Sequence, residues 1–225
     1  VFKPVEDAST YVVRQGGQVI TVILLRYKDG EIDVFNEMIR IDETEMHRFS
    51  CYMFSKFDRA YVISFKAIHT NLKKLPFPFQ QHNAKDDFVI ALSRTPSDYT
   101  ARLGKATRTN IKRYMKRLVQ NFPSFSHHFY ENEDIEEHHI RAITNLSKAR
   151  ISAMKKKFGV DEKETQGLIR LAKICGMVNV VRINGRLCAG TISYRVGSGY
   201  VAVVNAHDSK YDEYWLGTLC YYLSI

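Results

Sequence analysis

The fold of this chain is decided by residues 177–205, MVNVVRINGRLCAGTISYRVGSGYVAVVN. Apolar and β-branched residues fill most of this stretch, and glycine-containing turns divide it into strand-like runs. Asn184-Gly185 is a strong signal for a two-residue β-hairpin, because both positions of such a turn need a positive φ. A second turn follows at Gly197-Ser198-Gly199. The stretch therefore predicts an antiparallel meander.

A second meander, at residues 11–41, coincides with the first when 168 is added to each residue number, without any gap. Val12–Arg14 then falls on Val180–Arg182, and Gly17 falls on Gly185. Further features that coincide are the turns at Asp29-Gly30 and Gly197-Ser198, the strands at 32–35 and 200–203, and the aromatic helices around 49–54 and 217–222. Agreement of turns, strands and helix together favours a tandem duplication.

The two copies end differently. The first copy continues past its helix into a further strand, Arg59–Lys66, whereas the second stops inside its helix at Ile225. We therefore expect the second copy to be cut off at its C-terminal end and to lack at least one strand.

A mainly helical block separates the meanders. Apolar residues recur at three- and four-residue spacing from Thr107 to Gln120, which predicts a helix. Two more helices are expected at about Asp134–Met154 and from Asp161 to Ile174, with Gly176 as the stop. Residues 87–92, DFVIAL, are typical of a short strand. Strands and helices together predict an α+β protein.

Composition limits the classes of protein. The 225 residues carry a net charge of +9 and contain no apolar run long enough to span a membrane. The positive charge suits a polyanionic partner, which leaves nucleic acid, anionic lipid and a phosphate-rich cofactor open. The four cysteines form no CxxC pair, and we expect free buried thiols and a cytoplasmic location.

Three motifs carry a resemblance to a known family. They are LGKATRTNIKR at 103–113, NGRLCAG at 184–190, and the helix entry at 208–219. Together they resemble the GNAT acyltransferases, in particular a bacterial subgroup tied to polysaccharide and cell-envelope work. Tandem copies are also similar to the aminoacyl-tRNA-dependent transferases that build peptidoglycan bridges. The resemblance implies tandem GNAT-like folds with mostly antiparallel sheets flanked by helices. It implies a degenerate half at 1–82 and an acyltransferase domain at 83–225 that is incomplete at its C-terminus.

The resemblance also implies a site for acetyl-CoA or another acyl-CoA. A central strand holds the pantetheine arm in this family, and backbone N–H groups of the next helix hold the pyrophosphate, where the helix dipole is positive. The expected cofactor residues are Val203, Val204, Asn205, Leu216, Gly217 and Thr218. The family's loop has further glycines and a leading Gln or Arg, whereas residues 214–219 keep only Gly217. Phe49 is the matching residue in the first copy, so that copy is expected to be a scaffold.

Acyl transfer needs a base for the nucleophile's proton. His207 and Asp208 follow the central strand and are the expected catalytic residues; the alternative is that Asp208 caps a turn and His207 is solvated. Arg108, Asn110 and Arg113 of the basic helix are expected to bind the acceptor, whereas the default explanation for that helix is a solvated face.

A metal site is not expected. The pairs His127-His128 and His138-His139 lack the i, i+4 spacing of a helical zinc site. The neighbouring acids are more simply a charge cluster at a helix N-terminus.

The leading functional hypothesis is an acyltransferase that moves an acyl group from acyl-CoA to an amine or hydroxyl, with a small molecule or a cell-envelope precursor as acceptor. One alternative is an aminoacyl-tRNA-dependent transferase, for which tRNA is the partner. The other is a degenerate GNAT pair that acts as a non-enzymatic binding module.

Overall fold

The computed structural model describes residues 7–37, 39–82, 89–155, 160–197 and 199–225. These residues divide into two compact units, of which the first ends at Ile90 and the second begins at Ala91. The sequence places the boundary between the two units earlier, between residues 82 and 83. None of the helices in the described residues is long and apolar enough to cross a membrane.

The first unit is a sheet with one helix packed against it. Its elements are β1 (Ser9–Gln15), β2 (Gln18–Lys28), β3 (Glu31–Val34), β4 (Ile39–Arg40), α1 (Glu43–Lys56), β5 (Val62–Phe65) and β6 (Ile68–His69). The main sheet has the order β1-β2-β3-β5, and β4 pairs with β6. Strands β3 and β5 are parallel, because α1 connects them as a crossover. Phe49 of α1 is fully buried among the apolar side chains of β2 and β3.

The second unit places one sheet between two layers of helices. Its elements are α2 (Pro96–Arg102), α3 (Lys105–Asn121), β7 (Ser126–Glu131), α4 (Glu137–Ala153), α5 (Glu162–Cys175), β8 (Gly176–Ile183), β9 (Arg186–Val196), β10 (Gly199–His207) and α6 (Leu216–Leu223). A 3-10 turn at Asn132–Asp134 lies between β7 and α4, and another at Ser209–Tyr214 lies between β10 and α6. The sheet is antiparallel with the order β10-β9-β8-β7.

Alternation along β8 explains the layers. Val178 and Val180 pack in the cluster that contains α4 and α5, whereas Val181 and Ile183 pack in the cluster that contains α3 and α6. The bulge between Val181 and Arg182 does not reverse this division. Successive strand residues point to opposite faces, so the sheet separates α4 and α5 from α3 and α6.

The hairpins of the two units have the same register. Adding 168 to the numbers of β1 and β2 reproduces the pairing of β8 and β9, and the irregularity at Val13/Arg14 falls on the one at Val181/Arg182. Both turns place two residues at positive φ, at 55° and 82° for Gly16-Gly17 and at 53° and 75° for Asn184-Gly185. These turns are of the kind that the sequence predicted.

The two units diverge at the strand that follows. In the first unit β3 ends at Val34, and the side chain of Asn36 then bonds β2, accepting from Leu24 N at 2.6 Å and donating to Val22 O at 3.1 Å. In the second unit β10 continues past a bulge at Val203 as far as His207. In the first unit the Asn36 side chain therefore takes the place of further backbone pairing with β2. In the second unit the backbone of β10 continues to pair with β9.

Several local predictions need correction. Val89–Leu92 form no strand, and Asp87 and Phe88 lie outside the described residues. Helix α4 begins at Glu137 rather than at Asp134, because a 3-10 turn precedes it. All four cysteines are free, but Cys51 is exposed on α1 rather than buried.

Candidate active site

The start of α6 offers backbone donors that the protein does not use. Trp215 stands in the left-handed conformation, with φ 55°, and the first helical bond runs from Leu219 N to Trp215 O at 2.9 Å. Within the described chain, the N–H groups of Leu216, Gly217 and Thr218 donate to no acceptor. Such groups at the positive end of a helix attract anions. Leu216 contributes its backbone alone, since its side chain is fully buried.

Two asparagine side chains hold α6 against the sheet. Asn205 of β10 donates from Nδ2 to Gly217 O at 3.2 Å, and Asn179 of β8 donates to Cys220 O at 3.0 Å. Thr191 Oγ1 lies 3.4 Å from Cys220 Sγ, and burial raises the pKa of that thiol to about 11. The thiol therefore remains protonated near neutral pH and acts as a packing group. The helix start is fixed relative to the end of β10.

His207 lies directly against Gly217. A Cβ added at Gly217 would stand 2.6 Å from His207 Nδ1 and 2.8 Å from Cε1. The other ring nitrogen, Nε2, lies 2.7 Å from Asp212 Oδ1. The absence of a side chain at residue 217 is thus required for the histidine ring to occupy this position.

Asp208 stabilises the turn that leads to α6. Its Oδ1 accepts a hydrogen bond from Lys210 N at 3.0 Å, and its backbone N donates to Cys188 O at 2.8 Å. Arg186 lies 3.8 Å away and is mostly exposed, so this ion pair adds little. These contacts are those of a capping residue; the catalytic role of Asp208 stays a prediction.

Strand β10 forms one edge of the sheet in the described structure. Val203 is the bulged residue and is 38% exposed, whereas Val204 and Asn205 pair with Ile192 and Thr191 of β9. An edge strand carries backbone groups that can pair with an extended ligand. The predicted cofactor residues of β10 and α6 therefore lie on connected elements, joined by the bond from Asn205 to Gly217.

An aromatic ladder joins the basic helix α3 to this corner. The Tyr114 ring stacks on Trp215 with centroids 4.9 Å apart, and the Arg113 guanidinium lies 4.7 Å from the centroid of Tyr114. Arg117 pairs with Glu213 at 2.5 Å. Arg113, a predicted acceptor-binding residue, therefore lies on Tyr114, and the Tyr114 ring stacks on Trp215, the residue before the free amides.

The other two predicted acceptor-binding residues have different surroundings. Arg108 donates to Ala101 O at 2.6 Å, which ties α3 to the end of α2. The Asn110 side chain makes no hydrogen bond to any described residue and is half-buried. Neither contacts the α6 corner through the bonds that the structure shows.

Asp212, Tyr114 and Trp215 were not assigned to the site from the sequence. Tyr114 and Trp215 are separated by 101 positions, and no periodicity connects residues on different elements. The left-handed backbone at Trp215, which is unusual for a bulky side chain, also becomes visible only in the structure.

Glu136, His138 and His139 form a cluster whose ligand atoms lie within 4.8 Å of one another. His139 is buried and stacks on Tyr130, and its Nδ1 accepts from Glu136 N at 3.3 Å. Burial, with a smaller contribution from the neighbouring His138 charge, lowers the pKa of His139 to about 4. The contacts form the capping box of α4. A cation would meet the positive end of that helix, so the absence of a metal stays our prediction.

The start of α1, the helix that follows the meander of the first unit, is unsuited to phosphate. Asp42 caps α1 by accepting from Glu45 N at 2.8 Å, and Glu43 and Glu45 add negative charge to the first turn. Phe49, which matches Gly217, lies inside α1 rather than at its start and is fully buried. These features oppose the binding of an anion there, and the scaffold role of this unit stays a prediction.

Comparisons with known proteins give relatives in structure only. No protein-family model matches the sequence, and no curated protein matches it either. A conserved protein of unknown function from Bacteroides thetaiotaomicron has a TM-score of 0.59 at 12% identity, over 97% of this chain and 73% of that one. The C-terminal DUF2156 domain of a putative lysylphosphatidylglycerol synthetase from Agrobacterium fabrum has a TM-score of 0.51 at 8% identity, over 97% and 68%.

A tandem GNAT protein from the clavulanic acid biosynthesis pathway has a TM-score of 0.36 at 13% identity, over 96% of this chain and 69% of that one. That score is too low for an argument about fold. The first two comparisons show that the chain shares its mixed α+β fold with the Bacteroides protein and with the DUF2156 domain.

Proposed function

We propose that this protein is a GNAT-type acyltransferase that transfers an acyl group from acyl-CoA to an amine or hydroxyl. The observation that carries the proposal is the start of α6, where the N–H groups of Leu216, Gly217 and Thr218 have no acceptor among the described residues. They follow an edge strand with a bulge at Val203, and Asn205 joins the strand to the helix. This combination suits a donor with a phosphate at one end and an extended amide arm.

Each part of the donor has a proposed partner. The α6 amides bind the pyrophosphate, and Arg113 adds a positive charge on the ring of Tyr114, which stacks on Trp215. The edge of β10 at Val203, Val204 and Asn205 pairs with the pantetheine amides. Trp215 is 41% exposed beside the free amides, so we expect its fluorescence to change when a ligand binds there.

His207 is the proposed proton acceptor. As the nucleophile attacks, a C–N or C–O bond forms, the C–S bond of the thioester breaks, and the thiol of CoA leaves with a proton. The Asp212 carboxylate at Nε2 would stabilise the imidazolium that forms when Nδ1 takes the nucleophile's proton. Nδ1 faces Gly217, so a side chain at residue 217 would cover this nitrogen. Asp208 is the proposed positioning residue, since it caps the turn that carries Asp212.

We also propose that the two units arose by duplication. The shared register of the two hairpins, the coincident bulges at Val13/Arg14 and Val181/Arg182, and the matching positive-φ turns support this origin. In this proposal the first unit lost its donor site when residue 49 became Phe and the helix start became acidic.

Calorimetry and tryptophan fluorescence test the donor site together. Trp215 is the only tryptophan in the chain, so its emission reports on this corner alone. We expect acetyl-CoA or a longer acyl-CoA to bind and to change the emission. Arg113→Glu should weaken binding about tenfold or more. Arg170→Glu, a matched change at an exposed arginine of α5, should leave binding unchanged.

Absence of binding by acetyl-, octanoyl- and palmitoyl-CoA would overturn the proposal. Binding that Arg113→Glu and Arg170→Glu weaken equally would point to general charge attraction instead of a site. Tight binding of tRNA with a steep salt dependence, in place of acyl-CoA, would favour the aminoacyl-tRNA-dependent alternative.

A further inference from the structure

The first unit contains a large open groove that the donor site does not explain. Its volume is about 1280 Å3. One wall is α1, through Met46, Ser50 and Phe54, and another is formed by β5 and β6. The segment 70–82 folds back to form a third wall, where the Phe77 ring lies 4.9 Å from the Phe54 ring. The volume exceeds the roughly 300–1,000 Å3 that is usual for small-molecule sites.

Apolar side chains line part of the inner surface of the groove. Ile63, Phe65, Leu72, Leu75 and Phe77 line it, and each is only half-buried. Four of these, all but Phe77, also pack on the buried core of the unit, so the surface is built on a fixed base. Apolar surface that remains open along a groove favours a ligand with a hydrocarbon portion.

The charge along the groove is positive. Arg40 and Lys66 line it, and neither pairs with a carboxylate within the described residues. Asp42 is the one acidic residue among the described lining, and its carboxylate is already used to cap α1. The hydroxyl of Thr70 also lines the groove and is buried with no hydrogen-bond partner in the described structure. A buried hydroxyl without a partner is costly, and a ligand acceptor would satisfy it.

We propose that this groove binds a single-chain amphiphile with a carboxylate head, such as a fatty acid. The chain lies along Ile63, Phe65 and the side chains of the 70–82 segment. The head binds Arg40, whose planar guanidinium can hold both carboxylate oxygens. Charge complementarity selects this occupant over a cationic amphiphile of equal length. The described residues that line the site all belong to the first unit, and the proposal does not depend on the acyl-CoA proposal.

The test is calorimetric titration of the full chain with saturated carboxylates of 8, 10 and 12 carbons, each below its critical micelle concentration. Each buried methylene contributes about 0.8 kcal/mol, so two added carbons should tighten Kd roughly tenfold until the groove is full. Dodecyltrimethylammonium, which has the same chain and a cationic head, should bind at least tenfold more weakly than dodecanoate.

Two variants place the site. Arg40→Glu should weaken dodecanoate binding about tenfold or more, whereas Arg59→Glu, at an exposed arginine of the same unit outside the groove, should not. Ala67→Phe adds bulk to the lining and should block binding, with circular dichroism used to confirm that the variant is folded.

No binding of dodecanoate, equal binding of the cationic amphiphile, or equal loss in Arg40→Glu and Arg59→Glu would each overturn the proposal. Acyl-CoA binding, followed through Trp215, is expected to be the same in Arg40→Glu as in the wild type. Failure of this proposal is therefore distinguishable from failure of the proposed function.

Discussion

Replacing Gly217 with alanine should expose the contact on which the α6 corner depends. The new Cβ would lie 2.6 Å from His207 Nδ1, 2.8 Å from Cε1 and 3.4 Å from Cγ, whereas ordinary contacts begin near 3.4 Å. Overpacking of this kind costs about 1–3 kcal/mol. Alanine gains up to about 1 kcal/mol over glycine in a helix, which offsets part of that cost. The expected net loss of stability is therefore about 0–3 kcal/mol.

Removal of the histidine ring should remove the penalty. In a His207→Ala background, Gly217→Ala should be neutral or stabilising by up to about 1 kcal/mol, because only the helix preference remains. His207→Ala itself loses the bond to Asp212, which is worth little because the Asp212 side chain is 65% exposed. The coupling energy of the double-mutant cycle should therefore be roughly 1–3 kcal/mol.

Urea unfolding followed by Trp215 emission measures this cycle, because the single tryptophan lies two residues before Gly217, directly before α6. Thr218→Ala, at the next and exposed position of the same helix, is the control and should change stability by less than about 0.5 kcal/mol. Equal effects of Gly217→Ala in the presence and absence of the histidine would refute the contact, and with it the positioning of His207.

Three further predictions concern the fold around the site. The pKa of His139 is lowered from 6.5 to about 4, so the unfolded chain takes up a proton first as the pH falls. The free energy of unfolding should therefore decrease from about pH 6.5 towards pH 4. His139→Gln should lose this dependence in urea titrations at several pH values, and the exposed neighbour's variant His138→Gln should retain it. Gly190→Ala should destabilise by about 3 kcal/mol in the same assay, because its Cβ would meet Ile143 Cδ1 at 2.5 Å and Asn179 O at 3.0 Å. A change below about 0.5 kcal/mol would contradict this close helix–sheet approach. Leu219→Ala should cost about 2–5 kcal/mol by opening a cavity beneath α6, and a thermal midpoint equal to the wild type's would count against that packing.

Local chemistry was enough to predict most of the regular elements. Asn184-Gly185 indicated a hairpin because few residue pairs accept two positive φ values in succession, and the structure has that turn. A helix is expected from Asp161, and in the structure Asp161 caps that helix, with its side chain accepting from Glu164 N at 2.8 Å. Residues 89–92 show where this approach fails. Their apolar character resembled a strand, yet a strand exists only if a partner is available to pair with it.

The candidate site was predictable only in part. The sequence singled out Gly217 and His207 as separate residues, one for close phosphate approach and one for proton transfer. In the folded protein they are in contact, so that the glycine also makes room for the histidine. The tertiary structure adds three residues to the site, because their contacts are made between different elements. Tyr114 of α3 stacks on Trp215, and Asp212 of the 3-10 turn bonds His207 of β10.

The sequence by itself determined where the chain turns, which faces of its strands and helices are apolar, and that residues 9–34 and 177–202 share one pattern of pairing. These properties depend on φ preferences and on side-chain periodicity, which neighbouring residues set. The tertiary structure alone decided that α3 meets the start of α6 through stacked rings, and that a positively charged, partly apolar groove lies beside α1. Contacts between distant segments depend on how whole elements pack, and no local pattern of residues encodes that.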